Sequence, residues 1–137
     1  MISLSETPTK IGVIAIVDDD EPLREALGSV LKAAGFAIET FASAEEFIGS
    51  PDRHRIACLI LDVRLPGMSG LELQRRLIES ECPVPIIFVT AHGDESLREL
   101  VMEAGAAGFL NKPVRSEALL KEIRAALQTK AQDNQLR

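Results

Sequence analysis

The 137-residue chain is 46% hydrophobic and 26% charged, with a formal net charge of −6. That length suits one domain, the composition excludes wholesale disorder, and the acidic balance argues against nucleic-acid binding within these residues. No apolar run approaches membrane-spanning length, the first ten residues lack the basic start and apolar stretch of a secretory signal, and Cys58 and Cys82 read as reduced thiols; the expected setting is cytoplasmic.

Residues 1–10 (MISLSETPTK) read as a disordered lead-in to a domain over 11–128. The first apolar run, 11–17 (IGVIAIV), is followed by a helical stripe of Leu23, Leu27, Val30, Leu31 and Ala34 that Gly35 stops. A second strand follows over 36–41, then a short helix announced by Ser43 with Glu46 three residues on and stopped at Gly49. The third run, 56–61 (IACLIL), leads to a helix started by Ser69 and Glu72. The fourth, 85–89 (PIIFV), precedes a stripe of Leu97, Leu100, Val101 and Ala104 that ends at Gly105. A fifth strand over 106–110 leads to a last helix, with Ser116 as its capping signal and Leu119, Leu120, Ile123, Ala126 and Leu127 as its stripe. Residues 129–137 (TKAQDNQLR) read as a C-terminal tail or the start of a linker.

Strict alternation of five strands with five helices predicts an α/β fold, a doubly wound parallel sheet in the order 2-1-3-4-5. Runs one, three and four are nearly unbroken hydrophobics, as strands covered on both faces require. In such a sheet the crevice lies beyond the carboxyl ends of the strands, so the residues just after each run carry the most information. They are Asp18, Asp19 and Asp20, then Asp62, Thr90, and Asn111 with Lys112. Any one of them could simply open a turn or cap a helix. Together they crowd negative charge, which is costly unless a cation sits among them. Mg²⁺ suits a partly open acidic cluster, because it is commonly held by one or two carboxylates, waters and a substrate phosphate. Asp62 would then be a nucleophilic carboxylate, with Lys112 and Thr90 placed to neutralise and bind a transferring phosphoryl group.

Four segments carry a resemblance: 17–24 (VDDDEPLR), 59–70 (LILDVRLPGMSG), 88–94 (FVTAHGD) and 105–113 (GAAGFLNKP). In these, over about residues 11–128, the chain resembles the receiver domains of bacterial two-component response regulators, most of all those that regulate a helix-turn-helix transcription output. The resemblance implies a flavodoxin-like (βα)5 sandwich that accepts a phosphoryl group from a sensor histidine kinase, a phosphoacceptor signalling domain rather than an enzyme. It matches Asp62 to the phosphoacceptor and Asp18 and Asp19 to the acidic pair that places Mg²⁺ or Mn²⁺, with the backbone carbonyl of Arg64 completing the metal shell. Thr90 and Lys112 match the phosphoryl-binding pair, and Phe109 matches an aromatic switch that turns inward as Thr90 moves toward the phosphate. The bond between Lys112 and Pro113 is expected to be cis. The face built from the fourth helix, fifth strand and fifth helix is expected to carry the output, to a second copy or an effector.

Around these residues the expectations are plainer. Asp20 caps the first helix, and Arg64 and His92 line the mouth of the site. His54 and His92 are exposed loop residues, Met68 packs within its loop, and the pairs Glu45 and Glu46, and Arg75 and Arg76, are solvated helix faces. One rival reading is a small phosphohydrolase with Asp18 as nucleophile; it lacks an acidic pair after Lys112 and the length for a cap. A second is a flavin carrier of the same strand order, but three aspartates after the first strand would repel a flavin phosphate, so no organic cofactor site is expected.

Overall fold

The computed structural model describes residues 12–129 with their side chains, apart from 82 and 92, and the backbone of 130–135. The lead-in 1–10 and the readings of Cys82 and His92 fall outside the described residues. In chain order the elements are β1 (Val13–Val17), α1 (Glu21–Ala33), β2 (Ala37–Phe41), α2 (Ala44–Ile48), β3 (Ile56–Asp62), α3 (Gly70–Glu79), β4 (Ile86–Thr90), α4 (Glu95–Glu103), β5 (Gly108–Asn111) and α5 (Ser116–Gln135). A 3₁₀ turn, Arg53–Arg55, leads into β3. The five strands form one sheet in the order β2-β1-β3-β4-β5, and every pairing is parallel.

Strand periodicity divides the core in two, since successive side chains leave a strand on opposite faces. Ala15, Val17, Leu59, Leu61 and Phe88 point to the face covered by Phe47 of α2, Leu73 and Leu77 of α3 and Val101 of α4. Ile14, Ile16, Cys58, Ile60, Ile87 and Val89 point to the other, covered by Leu27 and Leu31 of α1 and Leu119 and Ile123 of α5. Each of the Val, Leu, Ile and Phe side chains among them stabilises the fold by about 1.5–3 kcal/mol on full burial, which explains why the three inner strands read as continuous hydrophobics.

The capping residues set where each helix starts, and through that where the loops between strand and helix go. Asp20 accepts from the N–H of Leu23, Ser43 from that of Glu46, and Ser69 from that of Glu72. Asp94 accepts from the N–H of Leu97 in the same way, a cap that the sequence reading passed over. Gly35 and Gly105 stop α1 and α4 with φ of +99° and +106°. At α4, the N–H of Gly105 bonds Met102 O and that of Ala106 bonds Val101 O, the paired bonds of a left-handed helix cap.

Ser116 departs from expectation: α5 begins at Ser116 itself, with the Leu119 N–H on the Arg115 carbonyl, so Ser116 lies in the helix rather than capping it. The helical backbone also continues to Gln135, through much of the stretch read as tail. The fifth strand starts at Gly108 rather than 106, because Ala106 is still engaged in the α4 cap.

Candidate functional site

Asp62, Thr90 and Asn111 are the last residues of β3, β4 and β5, and Asp18 immediately follows β1. The register pairs Val17 with Leu61 and Thr90 with Asn111, so these ends lie level along one edge of the sheet. Because β1 is flanked by β2 and β3, chain connections run to opposite sides there, which opens the crevice at which ligands of doubly wound sheets bind. Asp18 and Asp62 stand at that point, on neighbouring strands.

Their immediate surroundings are held by the backbone. Asp18 N–H bonds Phe41 O of β2, its side-chain Oδ1 accepts from Asp20 N–H at 2.9 Å, and its carbonyl accepts from Arg24 Nη1 of α1 at 2.6 Å. Asp62 Oδ1 accepts from Arg64 N–H at 3.0 Å. Gly70, the first residue of α3, donates its N–H to Val63 O at 2.9 Å. A Cβ on Gly70 would overlap the Asp62 carbonyl oxygen and sit 3.0 Å from Asp62 C and Val63 Cα, so glycine alone lets α3 begin this close to Asp62.

Lys112 arrives from beyond β5, its N–H bonded to Thr90 O at 2.8 Å. The Lys112–Pro113 bond is cis, as expected. The ammonium Nζ stands 2.8 Å from Asp62 Oδ2 and 3.0 Å from Asp18 Oδ2, bridging two carboxylates that are almost wholly buried. Burial pushes the Asp18 carboxyl above its ordinary value and the charge on Asp62 adds to this, opposed by the Asp20 N–H and the Lys112 ammonium. Burial works to lower Lys112, and its hydrogen bonds to Asp62 and Asp18 overcome that and hold it above its usual value.

Asp19 is exposed, yet one carboxylate oxygen each from Asp18, Asp19 and Asp62 lie within 4.8 Å of one another. Three carboxylates converging from two strand ends, one side open to solvent, make a hard oxygen donor set of the kind Mg²⁺ accepts. The residues present fit a divalent cation. Arg64 is exposed on the loop that follows, Thr90 is buried at the end of β4, and Phe109 of β5 is buried against the α4 side of the sheet. The Phe109 ring lies beneath the loop between β4 and α4: a Cβ on Gly93 would come within 2.6 Å of its Cζ.

The remaining expectations divide. Asp20 caps α1, and Arg75 and Arg76 are exposed and paired with Glu72 and Glu79 along α3. Met68 packs against the core, and His54 is exposed in the 3₁₀ turn. Glu45 and Glu46 are solvent-exposed but engaged: Glu46 reaches back to the Ala42 N–H, and Glu45 reaches across to the N–H of Met68. Gln74, which drew no notice in the sequence, is buried and donates from Nε2 to Val101 O of α4 at 3.2 Å. No local sequence signal marks the Glu45 and Gln74 contacts, because each joins segments that only the fold brings together.

Fold and site together define a doubly wound α/β domain with a lysine-bridged, cation-ready carboxylate crevice at its strand ends. The model of the response regulator receiver domain family matches residues 14–124, and the chain belongs to that family. Response regulator protein TodT of Pseudomonas putida is 47% identical over 118 residues, covering 86% of this chain and 52% of that protein. Transcriptional regulatory protein FixJ of Bradyrhizobium diazoefficiens is 36% identical over 119 residues, covering 87% and 58%. Among solved structures, the response regulator StyR superposes with a TM-score of 0.82 at 44% identity, over 91% of this chain and 63% of that one. FixJ-N superposes with a TM-score of 0.76 at 36% identity, over 85% and 94%. The chain spans about half the length of the curated relatives it matches. It is a two-component signalling domain, and no helix among the described residues is long and apolar enough to cross a membrane.

Proposed function

We propose that Asp62 is the phosphoacceptor, taking its phosphoryl group from the phosphohistidine of a sensor histidine kinase. The observation that carries this reading is the Lys112 ammonium shared between Asp18 and Asp62 inside a cluster of three carboxylates. A carboxylate oxygen of Asp62 forms the new O–P bond as the P–N bond breaks, and the electron pair of that bond leaves with the imidazole. Lys112 is within a side-chain rotation of the incoming phosphoryl oxygens, and Thr90, at the end of the adjacent strand, offers a hydroxyl donor to the same group. Asp18, Asp19, Asp62 and the carbonyl of Arg64 would hold Mg²⁺ or Mn²⁺, which supplies positive charge to balance the phosphoryl oxygens.

Phosphorylation then biases a two-state equilibrium, with Thr90 and Phe109 as its moving parts and the α4–β5–α5 face as its output, toward a second copy or an effector. Phe109 is buried under the β4–α4 loop, next to the segment that follows Thr90, which supports its part in that equilibrium. The domain acts in the cytoplasm as a switch, assisting its own phosphorylation and dephosphorylation without being an enzyme for a separate substrate. No observation favours the phosphohydrolase reading: Glu117 and Glu122 lie on α5, and among the described residues neither joins the cluster of Asp18, Asp19 and Asp62. Incubation with acetyl phosphate tests the proposal. Wild type should gain a phosphoryl group only when Mg²⁺ is present, and Asp62→Asn should fold and gain none; labelling of the variant would show the assignment to be wrong.

A further inference from the structure

Residues 63–69 join β3 to α3 and form one wall of the carboxylate crevice. At its start this loop is secured by the Arg64 N–H on Asp62 Oδ1 and by Val63 O, which accepts from Gly70 N–H. Val63 and Leu65 are buried, but Pro66 and Gly67 are exposed. On the side toward α4 an open, mainly apolar cleft lies between the exposed part of the loop and Leu97, lined also by Val63, Arg64, Leu65, Pro66, Ser69 and Leu71. Pro66 followed by Gly67 at φ +74° is the sequence and geometry of a tight turn that would ordinarily close with the Met68 N–H on the Leu65 carbonyl. In this chain the Met68 N–H donates instead to Glu45 Oε2, at 2.8 Å and 23 residues away in the chain. The same oxygen occupies the space that a Cβ on Gly67 would need. Glu45 lies in the first turn of α2, whose start is itself fixed by Ser43 and Glu46. The Met68 N–H is also the chief reason that the Glu45 carboxyl sits below its ordinary value.

We infer that Glu45 is a positioning residue for the phosphoacceptor site, gripping the tip of the β3–α3 loop from α2 and thereby fixing the Arg64 backbone beside Asp62. The inference rests on the reading of Asp62 and its carboxylates given above. Arg64 serves that site through its backbone, the N–H on Asp62 Oδ1 and the carbonyl assigned to the metal shell, so its precision depends on the loop rather than on its side chain. A tip released from Glu45 would swing toward the open cleft. Mg²⁺ would then have to order the loop as it binds, and affinity would fall.

The test compares wild type, Glu45→Ala and Glu45→Gln, titrating Mg²⁺ by calorimetry because the chain has neither Trp nor Tyr to report binding by fluorescence. Thermal unfolding in Mg²⁺-free buffer runs alongside. Glu45→Ala should weaken Mg²⁺ binding about threefold to tenfold with little change in melting temperature, as loss of a supporting contact to a metal ligand does. Its labelling by acetyl phosphate should slow at low Mg²⁺ and recover at saturating Mg²⁺. Glu45→Gln keeps an oxygen acceptor for the Met68 N–H and should stay within about twofold of wild type. Equal Mg²⁺ affinity in wild type and Glu45→Ala overturns the inference, as does Glu45→Gln falling as far as Glu45→Ala, since the charge rather than the contact would then matter. A wild type that neither binds Mg²⁺ nor takes label overturns the underlying reading of the site as well.

Discussion

Replacing Lys112 with methionine keeps the length of the aliphatic stem and removes the ammonium, isolating what that charge does in the crevice. In the wild type Nζ lies 3.0 Å from Asp18 Oδ2 and 2.8 Å from Asp62 Oδ2, and the side-chain exposures are 21%, 4% and 8% for Lys112, Asp18 and Asp62. Removing one partner of a buried ion pair costs 3–5 kcal/mol in general, and with Lys112 one-fifth exposed, water takes up part of the loss, leaving about 2–3 kcal/mol. For a chain of this length that lowers the melting temperature by about 6–15 °C in Mg²⁺-free buffer. Two uncompensated carboxylates also make a stronger cation site, so millimolar Mg²⁺ should restore more stability to Lys112→Met than it adds to wild type. Acidification should shrink the difference as well, because protonating Asp18, whose carboxyl burial holds above its ordinary value, removes in both proteins charge that Lys112 balances. Differential scanning calorimetry with EDTA, with Mg²⁺ and over a series of pH values measures all three effects. An unchanged melting temperature in EDTA, or a deficit that Mg²⁺ leaves at full size, would refute the electrostatic account of the cluster.

Gly70→Ala should disturb the site from beneath: its Cβ would overlap the Asp62 carbonyl, and relief by moving the start of α3 costs about 1–3 kcal/mol and weakens Mg²⁺ binding; wild-type stability and affinity would contradict the reading. Gln74→Leu removes the buried hydrogen bond from α3 to Val101 O, whose carbonyl keeps its bond from Ala106 N–H, so stability should fall by only about 0.5–1.5 kcal/mol. Amide exchange in the last turn of α4 should nonetheless quicken, and exchange unchanged throughout α4 would show that Gln74 does not tether it.

The fold was legible because parallel strands buried on both faces leave so plain a trace. The runs in β1, β3 and β4 are apolar at nearly every position, and the alternation with helical stripes leaves few topologies. The crevice residues were legible for a related reason: Asp62 and Thr90 end strands and Asp18 and Lys112 immediately follow them, so all four could be placed at one edge of the sheet from the sequence. What sequence reading missed was long-range and unpatterned. Glu45 looked like a solvated helix residue, and by exposure it is one, yet its carboxylate closes a turn 23 residues away. Gln74 occupies a position where helical periodicity favours an apolar residue, and only the proximity of Val101 explains it. Ser116 misled because a serine three residues before a leucine stripe fits both a cap and a first helical residue.

On the proposed reading the Asp62 side chain, and no other, becomes an acyl phosphate. Treating the acetyl phosphate-labelled protein with borohydride reduces an aspartyl phosphate to homoserine, which peptide mass spectrometry locates to a single residue. Homoserine is expected at position 62 in the sample labelled with Mg²⁺ and not in the sample labelled in EDTA. Homoserine at 18 or 19, or an intact aspartate at 62 in protein that carries the label, would contradict it.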